Sequence, residues 1–125
     1  ISDRHVQKEI GNGHWTLGKS WCAPAGAILV TKDHIKEVNN LNLSLSVNGK
    51  IRQKGNTKNM IFNVNYLIHH ISKYMVLKPG TIISTGTPAG TGMEQEPPKF
   101  LQVGDKLELA IDNLGKQNYE IIEDK

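Results

Sequence analysis

The chain has 125 residues, 38% of them hydrophobic before its 12 glycines are counted. That is the composition of a globular domain, and it excludes a disordered chain. The net charge of +3 is uneven: residues 1–93 carry 11 Lys and Arg against 4 Asp and Glu, while residues 94–125 carry 4 Lys against 8 acids.

In chain order, residues 1–24 lack clean periodicity and read as loop, with one short helical turn over 3–9. Ala27-Ile28-Leu29-Val30-Thr31 is a β-favouring apolar run and predicts a buried strand. From Leu41 to Val47 apolar and polar residues alternate, the period of a half-buried strand. Asn48-Gly49 follows, a pair that supplies both positive-φ positions of a type I′ turn. The returning strand is expected from Lys50 onward. Val64, Leu67, Ile68, Ile71 and Met75 fall at helical spacing. They predict one main helix over 63–76, capped by Asn63 or Asn65 and stopped by Lys78-Pro79-Gly80. Thr81-Ile82-Ile83-Ser84 reads as another strand, and the glycines and prolines of 86–98 as a long loop. Val103-Gly104-Asp105 reads as a turn. Leu107, Leu109 and Ile111 alternate with polar or small residues, and Asn113-Leu114-Gly115 reverses the chain into a last strand near 119–122. Strands, one helix and strands again make a β-rich α+β domain rather than alternating βαβ units.

Several constellations are missing. There is no Gly-rich dinucleotide or phosphate loop and no Gly-x-Ser-x-Gly elbow. His69 and His70 are adjacent on the expected helix, about 100° apart, so they cannot face one metal together. They read as helix-surface residues. The single cysteine, Cys22, excludes an internal disulfide and reads as a reduced residue of an intracellular protein. No stretch approaches the about 18 apolar residues of a membrane helix, and no signal peptide is visible, so no membrane partner is expected. Two arginines and scattered lysines, with few aromatics, argue against nucleic acid. The basic balance of 1–93 suits a pocket for a small anion. The residues left for chemistry sit in loops at strand ends. Arg4, Gln7 and Lys19 flank a Gly-rich loop, Gly55-Asn56-Thr57 interrupts a hairpin strand, and Thr85-Gly86-Thr87-Pro88-Ala89-Gly90 follows a strand directly. A Gly-rich strand exit exposes backbone N–H groups to a ligand.

The chain resembles the fumarylacetoacetate hydrolase family. The matching stretches are Ser2-x-Arg4-x-x-Gln7, Leu17-Gly18-Lys19-Ser20, Leu29-Val30-Thr31-Lys32-Asp33, Val47-Asn48-Gly49, Arg52-Gln53-x-Gly55-Asn56-Thr57 and Met60-Ile61-Phe62. Pro79-Gly80, the Thr85 to Gly90 motif and Phe100-Leu101-x-x-Gly104-Asp105 continue in the family's order. The resemblance implies a compact mixed-sheet α+β fold, a homodimer, and a cytoplasmic or mitochondrial enzyme. It implies hydrolysis, decarboxylation or isomerisation of small 2-oxo acids such as acylpyruvates or oxaloacetate. A divalent cation, commonly Mg²⁺, is part of that expectation, since a 2-oxo carboxylate chelates a hard ion through two oxygens.

By the same resemblance, Lys19 is the catalytic candidate, an ammonium that offsets enolate charge. Gln7, Gly86 and Thr87 are the substrate-binding candidates, Thr87 for the carboxylate, and Arg4 supports the Gln7 segment. No metal ligand is assigned. The family's metal-binding Asp falls just before the Ser2 position, and its glutamate pair and catalytic histidine lie further upstream. The chain is therefore expected to be the C-terminal part of a catalytic domain, residues 1–125 forming one unit with upstream residues missing. Asp3 and His5 depart from the family pattern, and the segment holding Trp21-Cys22 is about two residues short. A non-catalytic homologue that keeps the fold as an interaction module is the competing reading.

Overall fold

The computed structural model describes residues 1–10 and 25–123. Four antiparallel strands form one sheet in the order β2-β1-β3-β4, with β1 Asn42–Val47, β2 Lys50–Asn56, β3 Lys106–Ile111 and β4 Gly115–Glu120. One α-helix, α1, spans Val64–Ser72. The expected α+β architecture is present.

The alternation of β1 sets the register at the sheet's centre. Leu43, Leu45 and Val47 stand opposite Ile111, Leu109 and Leu107 of β3, so one pleated face brings apolar side chains together across the strands. Val47 and Leu107 are buried there, and Leu41 is buried just before β1. The Asn48-Gly49 turn adopts the expected positive φ values of 52° and 74°. Polar side chains then tie this turn to the neighbouring strand. Asn48 Nδ2 donates to Asp105 Oδ1 at 2.8 Å, and Asn48 Oδ1 accepts from the Lys106 N–H at 2.9 Å. The Gln102 N–H and the Asn48 amide hold the Asp105 carboxyl below its ordinary value. The second reversal uses Asn113 and Gly115 in the same left-handed region, with φ of 62° and 86°.

The hairpin register contains one irregularity. Leu45 pairs with Gln53 but Ser46 pairs with Ile51, so Arg52 is an extra residue in β2, a bulge. The expected helix is shorter than its apolar pattern. Asn63 caps it by accepting from the Tyr66 N–H at 2.8 Å, and it ends at Ser72 rather than continuing to 76. His69 and His70 lie on its surface. The last strand begins at Gly115, directly after the turn, and not near 119.

Two expected strands are corrected. Residues 27–31 and 81–84 form no strand, and Ile28, Leu29 and Ile82 are 81%, 90% and 82% exposed. A β-favouring run becomes a strand only when another edge accepts its backbone hydrogen bonds. Among the described residues the four strands pair only with each other, and neither run joins the outer edge of β2 or β4.

Gly49 has open space around its Cβ position, so a substitution there acts through the backbone alone. Gly49→Ala is expected to lower unfolding stability by about 1 kcal/mol, the cost of placing a Cβ in the left-handed region. Urea unfolding monitored by circular dichroism measures it, and an unchanged midpoint would contradict the role given to the turn.

Candidate functional site

The Thr85 to Gly90 loop lies against the bulged strand β2, and three contacts hold it there. Gly55 supplies the first. A Cβ at Gly55 would come within 2.9 Å of Pro88 Cβ. At Gly90 a Cβ would overlap the Arg52 carbonyl oxygen, and its φ of +101° is also one that side chains rarely adopt. The Gln53 side chain completes the clamp, with Nε2 donating to Thr87 Oγ1 at 2.8 Å and to the Pro88 carbonyl at 2.6 Å. Gly55 is thus required by the Pro88 ring and Gly90 by the Arg52 backbone, not by turn formation alone.

The end of the loop is fixed by a capping box. Glu94 Oε2 accepts from the Gly90 and Thr91 N–H groups at 2.9 and 2.8 Å, and Thr91 caps the 3₁₀ turn Gly92–Glu94. The Thr91 N–H, then the Thr91 hydroxyl and the Gly90 N–H, hold the Glu94 carboxyl below its ordinary value. Arg52 Nη1 donates to Gln95 Oε1 at 2.9 Å, which joins this turn to the bulge. Asn56 and Thr57 anchor the far end of β2. Thr57 Oγ1 accepts from the Leu41 N–H at 2.8 Å and donates to the Val38 carbonyl at 2.9 Å, while Asn56 Nδ2 donates to Asn42 Oδ1 at 2.9 Å. Each polar member of the Arg52-Gln53-x-Gly55-Asn56-Thr57 motif therefore has a separate anchoring task.

Thr87 and Gly86 occupy the exposed crest of the loop, Gly86 with φ of +100°. Gln7 lies in the helical turn Val6–Ile10 and is the buried polar residue of its segment, at 8% exposure. Arg4 Nη1 donates to Gln7 Oε1 at 2.5 Å. Arginine carries donors only, so this bond fixes which end of the amide faces it and directs the NH₂ end elsewhere. The structure thus brings Arg4 to Gln7, and Gly86 and Thr87 to Gln53. Lys19, with Trp21 and Cys22, lies outside the described residues. An open cleft of about 490 Å³ lined by Arg52, Phe100, Leu101 and Asp105 does not include Thr87 or Gln7. The loop is the better candidate because it joins the exposed Thr87 hydroxyl to a fixed backbone frame. Gln53, Glu94 and Arg52 were not singled out as site residues from sequence. Arg52 and Gln53 belong to a recognisable motif, but their tasks depend on segments 43 and 35 residues further along. Glu94 instead caps its own turn through Thr91, a Thr-x-x-Glu spacing that is itself the local signal.

Among the described residues, no group of three or more His, Cys, Asp or Glu could hold a metal ion. The described residues by themselves do not fit the cation that the resemblance implies. The 125-residue chain is expected to bind Mg²⁺ only weakly, since Mg²⁺ is held through at least one or two placed carboxylates. Isothermal titration at neutral pH checks this, and tight stoichiometric binding would overturn it. The Glu94 capping box generates a pH prediction. A carboxyl whose folded pKa is depressed contributes stability above its unfolded value, about 4.3 for glutamate, and loses it as the pH falls through the folded value. Thermal stability should therefore fall with acidification below about pH 4.3, and Glu94→Gln should flatten part of that slope. An identical slope in the variant would contradict the cap's contribution.

The family model for the fumarylacetoacetate (FAA) hydrolase C-terminal domain matches residues 1–122. An uncharacterized protein of Staphylococcus aureus (strain USA300) is 46% identical over 115 residues, which are 92% of this chain and 38% of that protein. The structure is similar to fumarylacetoacetate hydrolase from psychrophilic Exiguobacterium antarcticum, with a TM-score of 0.90 and 34% identity over 98% of this chain and 44% of that one. It is also similar to maleylpyruvate hydrolase from Sphingobium sp. SYK-6 in complex with manganese(II) ion and pyruvate, with a TM-score of 0.79 and 30% identity over 90% of this chain and 40% of that one. The chain spans less than half the length of each of these proteins. With a family match from its first residue almost to its last, and a sheet that superposes on solved members, the chain belongs to the fumarylacetoacetate hydrolase family.

Proposed function

We propose that this chain supplies the substrate-carboxylate side of an active site acting on small 2-oxo acids, such as acylpyruvates or oxaloacetate. The reaction is C–C bond hydrolysis, decarboxylation or keto–enol isomerisation. One observation carries the reading: the Thr85 to Gly90 loop is clamped to β2 and raises the Thr87 hydroxyl, beside Gly86, on an exposed crest. A hydroxyl on a fixed backbone frame suits a carboxylate acceptor, because its orientation need not be frozen at the moment of binding.

The residues divide the work as follows. Thr87 donates to the substrate carboxylate, with the backbone near Gly86 leaving room for the anion to approach. Gln7, held at its Oε1 by Arg4, presents its NH₂ end to a substrate oxygen. Lys19 places an ammonium near the oxo group, where negative charge grows as the enolate forms. The uneven charge of the chain supports an anionic ligand, and so does the pyruvate in the related maleylpyruvate hydrolase complex. The manganese ion of that complex supports a divalent cation in the whole protein. Among the described residues no cluster of three or more His, Cys, Asp or Glu could hold it. A homodimer belongs to the same proposal.

Steady-state kinetics of the full-length protein on acetylpyruvate and oxaloacetate tests the assignment. Lys19→Met keeps the length and removes the charge, and should lower kcat by about 10²-fold or more if the ammonium acts mainly in the transition state. Thr87→Val should raise KM more than it lowers kcat, because a carboxylate contact is largely uniform between ground and transition states. Full activity of Lys19→Met would overturn the mechanism. Absence of activity in the wild-type protein would favour the non-catalytic homologue.

A further inference from the structure

We infer that Gln53 is a positioning residue that sets the direction of the Thr87 hydroxyl, turning its hydrogen away from β2 and toward the bound anion. The inference rests on the proposed carboxylate role of Thr87 and extends it to a residue with no contact of its own to substrate.

The argument starts from the Pro88 carbonyl, which can only accept. The Gln53 amide atom 2.6 Å from it must therefore be the nitrogen, and the flip of the amide is settled by its partner. That nitrogen carries two hydrogens. One goes to Pro88, and the other points to Thr87 Oγ1 at 2.8 Å. Thr87 Oγ1 is thus an acceptor on its Gln53 side, and its own hydrogen is directed away from Gln53. Among the described residues no acceptor takes that hydrogen. Thr87 is exposed, so the O–H is presented to whatever anion binds over the loop. A threonine hydroxyl left alone would rotate between donating and accepting orientations, and only one of them suits a carboxylate.

The local fold makes this arrangement specific. Gln53 is next to the bulge residue Arg52, and bulges re-aim side chains beside functional sites. Gly55 and Gly90 admit the loop backbone close enough for a single side-chain nitrogen to bridge Thr87 and Pro88. The result is a short relay in which strand β2 sets a side chain, the side chain sets a hydroxyl, and the hydroxyl meets the ligand.

The test is a double-mutant cycle in the full-length protein, reading KM and kcat for acetylpyruvate and the Kd of pyruvate by titration. Gln53→Glu replaces the donor by an acceptor that recruits the Thr87 O–H for itself. It should raise KM and Kd by about 10-fold, the size of one hydrogen bond to a charged group, with kcat changed much less. Gln53→Met removes the donor without adding charge and lets the hydroxyl rotate. It should raise both constants by about 3-fold, and it carries the test alone if Gln53→Glu fails to fold. In a Thr87→Val background neither substitution should add a further loss. Charge repulsion or general loosening of the loop would persist in that background, and a persisting effect overturns the inference. Unchanged KM and Kd in the Gln53 variants, with Thr87→Val impaired, overturn the inference and leave the carboxylate role of Thr87 standing. Unchanged constants in Thr87→Val itself overturn both.

Discussion

The close approach of the Thr85 to Gly90 backbone to strand β2 is the constraint on which the rest of the site depends. Gly55 faces Pro88 and Gly90 faces the Arg52 carbonyl, each at a separation that leaves no room for a Cβ. Without that approach Gln53 could not reach both Thr87 and Pro88, and nothing would tie the loop to the sheet at this point. The β2 bulge belongs to the same geometry, since the extra residue is the one whose carbonyl Gly90 meets. Arg52, Gln53 and Gly55 are thus read best as a docking edge for one distant loop.

The sheet reaches its order with little hydrophobic burial. Leu41, Val47 and Leu107 are the buried apolar residues among those described, each worth on the order of 1.5–3 kcal/mol when fully withdrawn from water. Polar side chains at the strand ends therefore matter more than usual. Asn42 donates from its backbone and its side chain to Asp112 Oδ2, at 3.0 and 2.8 Å. Asn48 bridges to Asp105 and Lys106, and Asn56 ties β2 back to Asn42. Each joins segments far apart in sequence, so each fixes register where packing alone would leave it loose. Helix α1 takes little part in this. None of its residues is buried; Tyr66 stacks between Phe62 and His70 with centroids 4.7 and 5.9 Å apart, and Tyr74, just past the helix, meets His70 edge-on at 5.2 Å.

Membership of the fumarylacetoacetate hydrolase family fits this division of labour. The family resemblance runs through residues that the fold uses for anchoring as well as for chemistry. Thr57, for example, satisfies the Leu41 N–H and the Val38 carbonyl and has no place in the proposed reaction. A motif can therefore be read correctly as a family mark while the tasks of its members stay hidden. A motif records which residues occur together and is silent on which bond each one makes.

The sequence by itself determined the local elements whose cause is local. Period-two alternation gave β1 and β3, the Asn48-Gly49 pair gave the tight turn, and the helix cap was narrowed to Asn63 or Asn65, of which the structure uses Asn63. It also marked Thr87 and Gly86 as candidates through a Gly-rich motif, although the strand expected to lead into that motif does not form. Only the tertiary structure decided what required a distant partner. Residues 27–31 and 81–84 have strand composition but pair with no strand among the described residues, and Ile28, Leu29 and Ile82 stay exposed. The β2 bulge comes from reconciling the strand with its neighbour, and nothing in the composition of Arg52 signals it. Gln53 acquires its role because a loop some 35 residues later folds onto it. Local propensity is written into a short window of residues, whereas the direction of a hydrogen bond is set by whatever acceptor the fold brings within 3 Å.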